Sequence, residues 1–152
     1  MDFKKFKQLA AEYKTVPVYK KVLADLLTPI SAYMKLAKKS NYAFIFESVE
    51  KGEQYGRYSF IGKNPNIILK SENRISQIYE NKEWKKTSTP FPDLLRKIQK
   101  NYSAPKIKNI PHFTGGLVGY LGYESISWIE EIPIYEKDEL QCPDAIFMLF
   151  QE

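Results

Sequence analysis

The chain has 152 residues, of which 43% are hydrophobic and 27% charged, so its length fits one ordinary domain with a sizeable core. Its apolar runs are far shorter than the roughly 20 residues of a membrane helix, and its N-terminus lacks the continuous apolar core of a signal peptide. Cys142 is the only cysteine, which excludes an internal disulfide, and together these features predict a cytoplasmic protein.

The formal net charge of +5 is unevenly distributed along the chain. Residues 1–121 contain 22 Lys and Arg against 10 Asp and Glu, whereas residues 122–152 contain 1 lysine against 8 acidic residues. Lysine supplies 20 of the 23 basic residues, while base reading and bidentate phosphate contacts favour arginine. A solvated lysine surface is therefore favoured over a nucleic-acid groove, and a stand-alone binding domain for RNA is kept as an alternative.

Three helices are predicted from periodicity and capping. Apolar residues recur on one face of residues 2–13, and residues 90–101 form a similar pattern with basic residues towards the end. Thr28 as N-cap and Pro29 at the first helical position mark the start of another helix. One face of that helix comprises Ile30, Tyr33, Met34 and Ala37. The segment before it is expected to be extended at 16–19 and to form a turn or short strand at 20–27.

Short segments rich in β-branched and aromatic residues predict strands at 42–46, 58–61, 66–70, 74–79 and 145–150. Turns are predicted at 71–73 and 81–82, because polar residues separate the apolar runs there. The close spacing of the first four strands predicts an antiparallel meander.

Residues 113–123 are apolar and glycine-rich, which invites comparison with a phosphate-binding loop. The glycines are Gly115, Gly116, Gly119 and Gly122. Their spacing does not fit G-x-G-x-x-G, and no Gly-Lys-Ser/Thr follows. We therefore interpret these glycines as positions where another backbone or a large side chain packs closely.

Residue types that carry catalysis are sparse. His112 is the only histidine and Cys142 the only cysteine, so no Cys/His metal cluster is expected. No G-x-S-x-G elbow accompanies His112. The residues alone therefore predict neither a catalytic residue nor a metal site.

Glu47 and Ser48 stand where an apolar run stops, at the mouth of a predicted strand. A carboxylate there can bind an ammonium group, and a neighbouring hydroxyl can help to hold a carboxylate. Phe44, Phe46 or Tyr58 would offer an apolar wall for a ring. The alternative is that Glu47 pairs with Arg57 across the hairpin and is purely structural, and physical reasoning alone favours this alternative.

Four motifs occur in one order along the chain: Pro17-Val-Tyr19; Thr28-Pro29; Phe44-x-Phe-Glu-Ser-Val-Glu with Gly56-Arg-Tyr-Ser-Phe-Ile-Gly62; and the 113–123 segment with Glu130-x-x-Pro133. In these motifs the chain resembles the N-terminal region of the anthranilate synthase large subunit, component I. The resemblance implies an α+β fold with antiparallel β-sheets packed with flanking helices. It also implies that residues 1–152 are a single N-terminal domain, without the C-terminal chorismate-binding catalytic domain.

The resemblance further implies a regulatory role in tryptophan biosynthesis. In this family the Glu-Ser pair, here Glu47 and Ser48, helps to form the site where L-tryptophan inhibits by feedback. A position that lines this site in some members, where it is lysine, is Tyr58 here. The full enzyme converts chorismate and ammonia to anthranilate and pyruvate, with Mg²⁺ bound beside chorismate and a glutamine amidotransferase subunit, component II, supplying ammonia.

No catalytic residue and no cofactor is assigned to this chain, because the family's catalytic and Mg²⁺-binding residues lie in the C-terminal domain. The chain alone is therefore expected to be inactive, with no nucleic-acid or membrane partner. The large subunit of aminodeoxychorismate synthase, which makes a folate precursor on the same fold, is the alternative family. The residues of the Phe-Glu-Ser-Val-Glu and Arg-Tyr-Ser-Phe-Ile-Gly motifs favour anthranilate synthase over this alternative.

Overall fold

The computed structural model describes residues 1–47, 58–133 and 141–152. The helices are α1 (Phe3–Glu12), α2 (Pro29–Ala37) and α3 (Phe91–Asn101), with a 3-10 helix at Tyr123–Trp128. The strands are β1 (Ala43–Glu47), β2 (Ser59–Lys63), β3 (Ile67–Glu72), β4 (Ile75–Glu80), β5 (Glu83–Thr87), β6 (Gly116–Leu121) and β7 (Ala145–Phe150). This mixture of helices and antiparallel strand pairs confirms the α+β fold class.

The chain divides into two compact units. Unit 1 comprises Met1–Pro65, Ala104–Gly115 and Phe150–Glu152. Unit 2 comprises Asn66–Ser103 and Gly116–Leu149.

The two helices of unit 1 begin at side-chain caps. In α1, the Asp2 carboxylate accepts a hydrogen bond of 2.7 Å from the Lys5 backbone N–H. In α2, the Thr28 hydroxyl accepts from the Ser31 N–H at 3.1 Å, and the Ser31 hydroxyl accepts from the Thr28 N–H at 3.0 Å. This reciprocal capping box satisfies two otherwise unpaired donors, and with Pro29 in the first turn it confirms the predicted helix start.

Strands β1 and β2 form a two-stranded antiparallel sheet of their own in unit 1. The register runs from Ala43 opposite Lys63 to Glu47 opposite Ser59, and α2 contacts both strands. The antiparallel pairing of β1 with β2 agrees with the predicted meander, but β2 does not pair with β3, so the prediction of one continuous meander is wrong. The reason is that β3 has both of its edges occupied by other strands, β4 and β7.

The sheet of unit 2 has the strand order β5-β4-β3-β7-β6. Strands β3 and β4 pair as the predicted meander requires, and β5, which was not predicted as a strand, extends it; two-residue turns in which both residues have positive φ join the three. These turns are Asn73-Arg74 and Asn81-Lys82. The second lies where we predicted it, whereas the first follows the predicted 71–73 because β3 continues to Glu72. Paired positive φ values match the right-handed twist of the flanking strands.

Helix α3 packs on the sheet to make the core of unit 2. The buried members of this core are Ile67, Leu69, Phe91, Leu94, Ile98, Ala145 and Leu149. Ile67 and Leu69 share one face of β3 because side chains alternate along a strand. Three residues of α3, at the spacing of one helix face, meet them.

The glycines of the 113–123 segment make room for neighbouring backbone, as predicted. A Cβ added at Gly119 would overlap the backbone of Ile146, which lies on β7 next to β6. An added Cβ would lie 3.0 Å from the Asp144 carbonyl oxygen at Gly122 and 2.9 Å from the Phe150 carbonyl oxygen at Gly115. Close packing is thus confirmed for these three, and Gly115 and Gly116 have φ values of 140° and 139°, which residues with a side chain rarely adopt.

Tyr120, on β6, makes a polar contact. The Tyr120 hydroxyl donates a hydrogen bond of 3.1 Å to the Pro143 carbonyl oxygen. Burial, and then the nearby Cys142 and Asp144, raise the pKa of Tyr120 because each disfavours the phenolate. A tyrosine hydroxyl is protonated at neutral pH in any case, and the raised pKa extends its ability to donate to higher pH.

Candidate ligand-binding site at the end of the β1–β2 hairpin

Two of the three residues predicted to hold tryptophan lie together at one end of the hairpin. Glu47 is the last residue of β1 and stands opposite Ser59, the first residue of β2, and Tyr58 directly precedes Ser59. Glu47 is exposed, and 51% of the Tyr58 surface is exposed. The third residue, Ser48, lies outside the described residues.

Strand alternation separates the two side chains. Glu47 belongs to the face of β1 that also carries Ala43 and Ile45, whereas Phe44 and Phe46 belong to the other face. The ring of Tyr58 lies 6.2 Å from that of Phe60, which stands opposite Phe46. The carboxylate and the aromatic wall therefore occupy opposite faces of the same strand end.

An aromatic cluster covers the face opposite Glu47. The rings of Phe44 and Phe46 are 4.9 Å apart, and that of Phe44 is 4.8 Å from that of Phe150. The Phe113 ring contacts the cluster from the 104–115 segment, 5.3 Å from Phe60 and nearly perpendicular to it. Phe44 is half-buried within this cluster, whereas 51% of the Phe46 surface is exposed at the strand end. Phe46 and Tyr58 thus present open aromatic surface beside the Glu47 position.

Gly62 permits this arrangement. It stands opposite Phe44, and an added Cβ would overlap the Phe44 ring. The ring therefore lies directly over the glycine, a cross-strand pairing that protects the backbone and fixes the register.

Gly62→Ala is expected to destabilise unit 1 by about 1–3 kcal/mol, because the Phe44 ring must move within a packed cluster. Chemical denaturation, followed by tyrosine and tryptophan fluorescence, would measure the change. Ser59→Ala, at the other end of β2, is the control and should change stability by less than about 0.5 kcal/mol. Phe44→Leu combined with Gly62→Ala should recover part of the loss; a purely additive loss would contradict the predicted overlap.

The charge environment of Glu47 bears on its alternative roles. Among the salt bridges between described residues, none includes Glu47. Arg57, the structural partner that we considered, lies outside the described residues. An exposed carboxylate at a strand end is chemically suited to accept hydrogen bonds from an ammonium group.

His112 and Cys142 are exposed, and within residues 1–47, 58–133 and 141–152 no group of three or more His, Cys, Asp or Glu side chains could hold a metal ion. In the same ranges, no helix has the length and apolar character needed to cross a membrane.

Sequence reasoning missed Phe60, Phe113 and Phe150 as members of the cluster. The pairing of an aromatic residue in one strand with a glycine in the next was the available signal for the Phe44–Gly62 contact. Phe113 and Phe150 gave no such signal, because they reach the cluster from distant parts of the chain.

The chain is similar to curated proteins along nearly its whole length. It is 40% identical over 152 aligned residues to anthranilate synthase component 1 of Neisseria meningitidis serogroup B, covering 95% of the chain and 30% of that relative. It is 36% identical to probable anthranilate synthase component 1 of Schizosaccharomyces pombe, covering 97% of the chain and 28% of that relative. No protein-family model matches the chain.

A solved structure shows the same likeness. The crystal structure of anthranilate synthase component I from Streptococcus pneumoniae TIGR4 superposes with a TM-score of 0.53 at 26% identity, covering 88% of the chain and 27% of that structure. The chain therefore spans about 30% of the length of the curated relatives it matches, and the matched part is their N-terminal part.

Proposed function

We infer that this chain, which is homologous to the N-terminal part of anthranilate synthase component I, forms the regulatory N-terminal domain of such a large subunit. The observation that carries the inference is the 40% identity to a curated component 1 over 95% of the chain. We further propose that Glu47, Ser48 and Tyr58 contribute to a site for L-tryptophan, the inhibitor at the end of the pathway.

The geometry of the hairpin end supports a site for an aromatic zwitterion. Glu47 offers an exposed carboxylate for the ammonium group, and Phe46 and Tyr58 offer half-exposed rings nearby. Because these groups lie on opposite faces, the ligand would bind across the strand end rather than on one face. Groups from the remainder of the large subunit would complete the pocket.

The chemical step is proposed for the whole large subunit. It would convert chorismate and ammonia to anthranilate and pyruvate, with ammonia delivered by a glutamine amidotransferase subunit. By the family resemblance, the metal and the catalytic groups would belong to the remainder. The role of this chain is then to bind the inhibitor and transmit its effect.

Inhibition requires tryptophan to distinguish two arrangements of the large subunit. A ligand shifts a conformational equilibrium only by its difference in affinity for the two states. Tryptophan would bind more tightly to the arrangement that binds chorismate less tightly, and by linkage chorismate would weaken tryptophan binding by the same factor.

The full-length large subunit, given chorismate, Mg²⁺ and ammonium, is expected to form anthranilate, which its fluorescence reports. The 152-residue chain under the same conditions is expected to form none, and it should bind tryptophan weakly or not at all in calorimetry, because part of the pocket is missing. A full-length protein that released aminodeoxychorismate instead would support the alternative family. Glutamine without the amidotransferase subunit is the negative control.

A further inference from the structure

Residues 18–34, between α1 and β1, expose an unusual amount of apolar surface. Leu23 is 88% exposed and Leu26 is 98% exposed, so both side chains lie almost wholly in water. The large apolar side chains exposed in this segment are Val18, Tyr19, Val22, Leu23, Leu26, Leu27, Ile30 and Met34. Isolated exposed apolar residues are ordinary, but a run of this kind marks an interaction surface.

Helix α2 shows that the surface is organised rather than accidental. Its apolar face comprises Ile30, Tyr33, Met34 and Ala37, and Lys35 is its single charged residue. Tyr33 and Ala37 are half-buried, while Ile30 and Met34 on the same face remain exposed. The apolar face of α2 is thus only partly covered by the described residues of unit 1, and it needs a second neighbour.

The segment just before α2 has little structure of its own to keep it folded. Residues 25 and 26 form a turn, closed by a backbone hydrogen bond of 2.9 Å from the Leu27 N–H to the Ala24 carbonyl oxygen. The leucines of this segment lie in irregular backbone, so they do not pack within a helix or a sheet. A protein surface placed against them would bury their side chains and fix the backbone conformation of the segment.

The relatives identify the available partner. The chain covers the N-terminal 30% of curated component 1 proteins, so most of each relative's length lies outside it. Strongly apolar interfaces are typical of permanent associations, whereas a subunit that must also exist free keeps a more polar interface. Residues 18–34 fit a permanent neighbour in the same large subunit better than a separately folded amidotransferase.

We propose that residues 18–34 are a docking surface for the C-terminal remainder of the large subunit, and that Leu23, Leu26, Ile30 and Met34 are its apolar anchors. The proposal rests on the proposed function, because it takes the remainder from the homologous large subunits. It adds the location of the interface, residues 18–34.

Hydrogen exchange measured by mass spectrometry tests the docking surface. Peptides covering residues 18–34 are expected to exchange rapidly in the 152-residue chain and at least about tenfold more slowly in the full-length large subunit. Leu23→Ser combined with Leu26→Ser should remove most of that protection in the full-length protein. The same pair should leave the melting temperature of the 152-residue chain nearly unchanged, because both side chains are already in water there.

The matched control is Lys20→Ser combined with Lys21→Ser, which places the same new residues in the same exposed segment without removing apolar surface. It should leave protection unchanged in both proteins. Equal exchange of residues 18–34 in the two proteins would overturn the proposal. So would protection that grows with the concentration of the 152-residue chain, which indicates a second copy, or protection that requires the amidotransferase subunit.

The readout separates this proposal from the proposed function. A full-length protein with protected residues 18–34 but no anthranilate formation would retain the docking surface and overturn the function. A protein that forms anthranilate while residues 18–34 exchange rapidly would overturn the docking surface and retain the proposed function.

Discussion

Glu47→Gln in the full-length large subunit is expected to raise the tryptophan concentration for half-inhibition at least about tenfold. A hydrogen bond to a charged partner contributes roughly 1.5–3 kcal/mol, and 1.4 kcal/mol is a factor of ten in affinity. Glutamine keeps the size and shape of the side chain but removes the charge that would bind the ammonium group. Anthranilate formation without tryptophan should continue, because the catalytic groups are proposed to lie outside this chain.

The measurement is the inhibition curve of anthranilate formation at a fixed chorismate concentration. Glu80→Gln is the matched control, since Glu80 is likewise an exposed glutamate at the last position of a strand, β4. Its inhibition curve should overlay that of the unmodified protein. Ser48→Ala is expected to shift inhibition in the same direction as Glu47→Gln. If neither Glu47→Gln nor Ser48→Ala alters inhibition, the assignment of the site is wrong.

The position of Glu47 could be predicted from sequence because it depends on local pattern. The apolar run 43–46 ends at a carboxylate, and the structure ends β1 at Glu47. The face on which the carboxylate lies follows from strand alternation, and it separates Glu47 from Phe44 and Phe46. The roles of Glu47, Ser48 and Tyr58 in binding tryptophan remain predictions that rest on the family resemblance.

Local signals also explain why the helices were predicted well and the strand partners less so. Thr28, Ser31 and Pro29 specify the start of α2 through contacts within four residues. By contrast, β3 pairs with β7, whose residues lie more than 70 positions later, for example Ser71 opposite Ala145. A strand pattern indicates that a strand exists but not which strand it pairs with. The separation of β1 and β2 into their own sheet therefore could not be predicted from the sequence.

Residue Gly119 shows where sequence and structure agree on a nonlocal contact. The glycine spacing excluded a phosphate loop, and the apolar surroundings left close packing as the explanation. The structure identifies the neighbour as the backbone of Ile146 and Phe147 on β7. Only the identity of that neighbour had to come from the fold.

Gly119→Ala is therefore expected to destabilise unit 2 by about 3 kcal/mol or more, at the upper end of overpacking costs. The added Cβ would overlap the Ile146 backbone, and backbone in a paired strand cannot rotate away as a side-chain tip can. Either β6 must separate from β7 or β7 must shift from its register with β3, and both changes disturb the buried Ala145 and Leu149. A loss of this size corresponds to a fall in melting temperature of about 10 °C in calorimetry. The control is Leu121→Ala, at an exposed position on the same strand, which should lower the free energy of unfolding by less than about 1 kcal/mol. Equal stability of the Gly119→Ala and Leu121→Ala variants would contradict the close approach of β6 and β7.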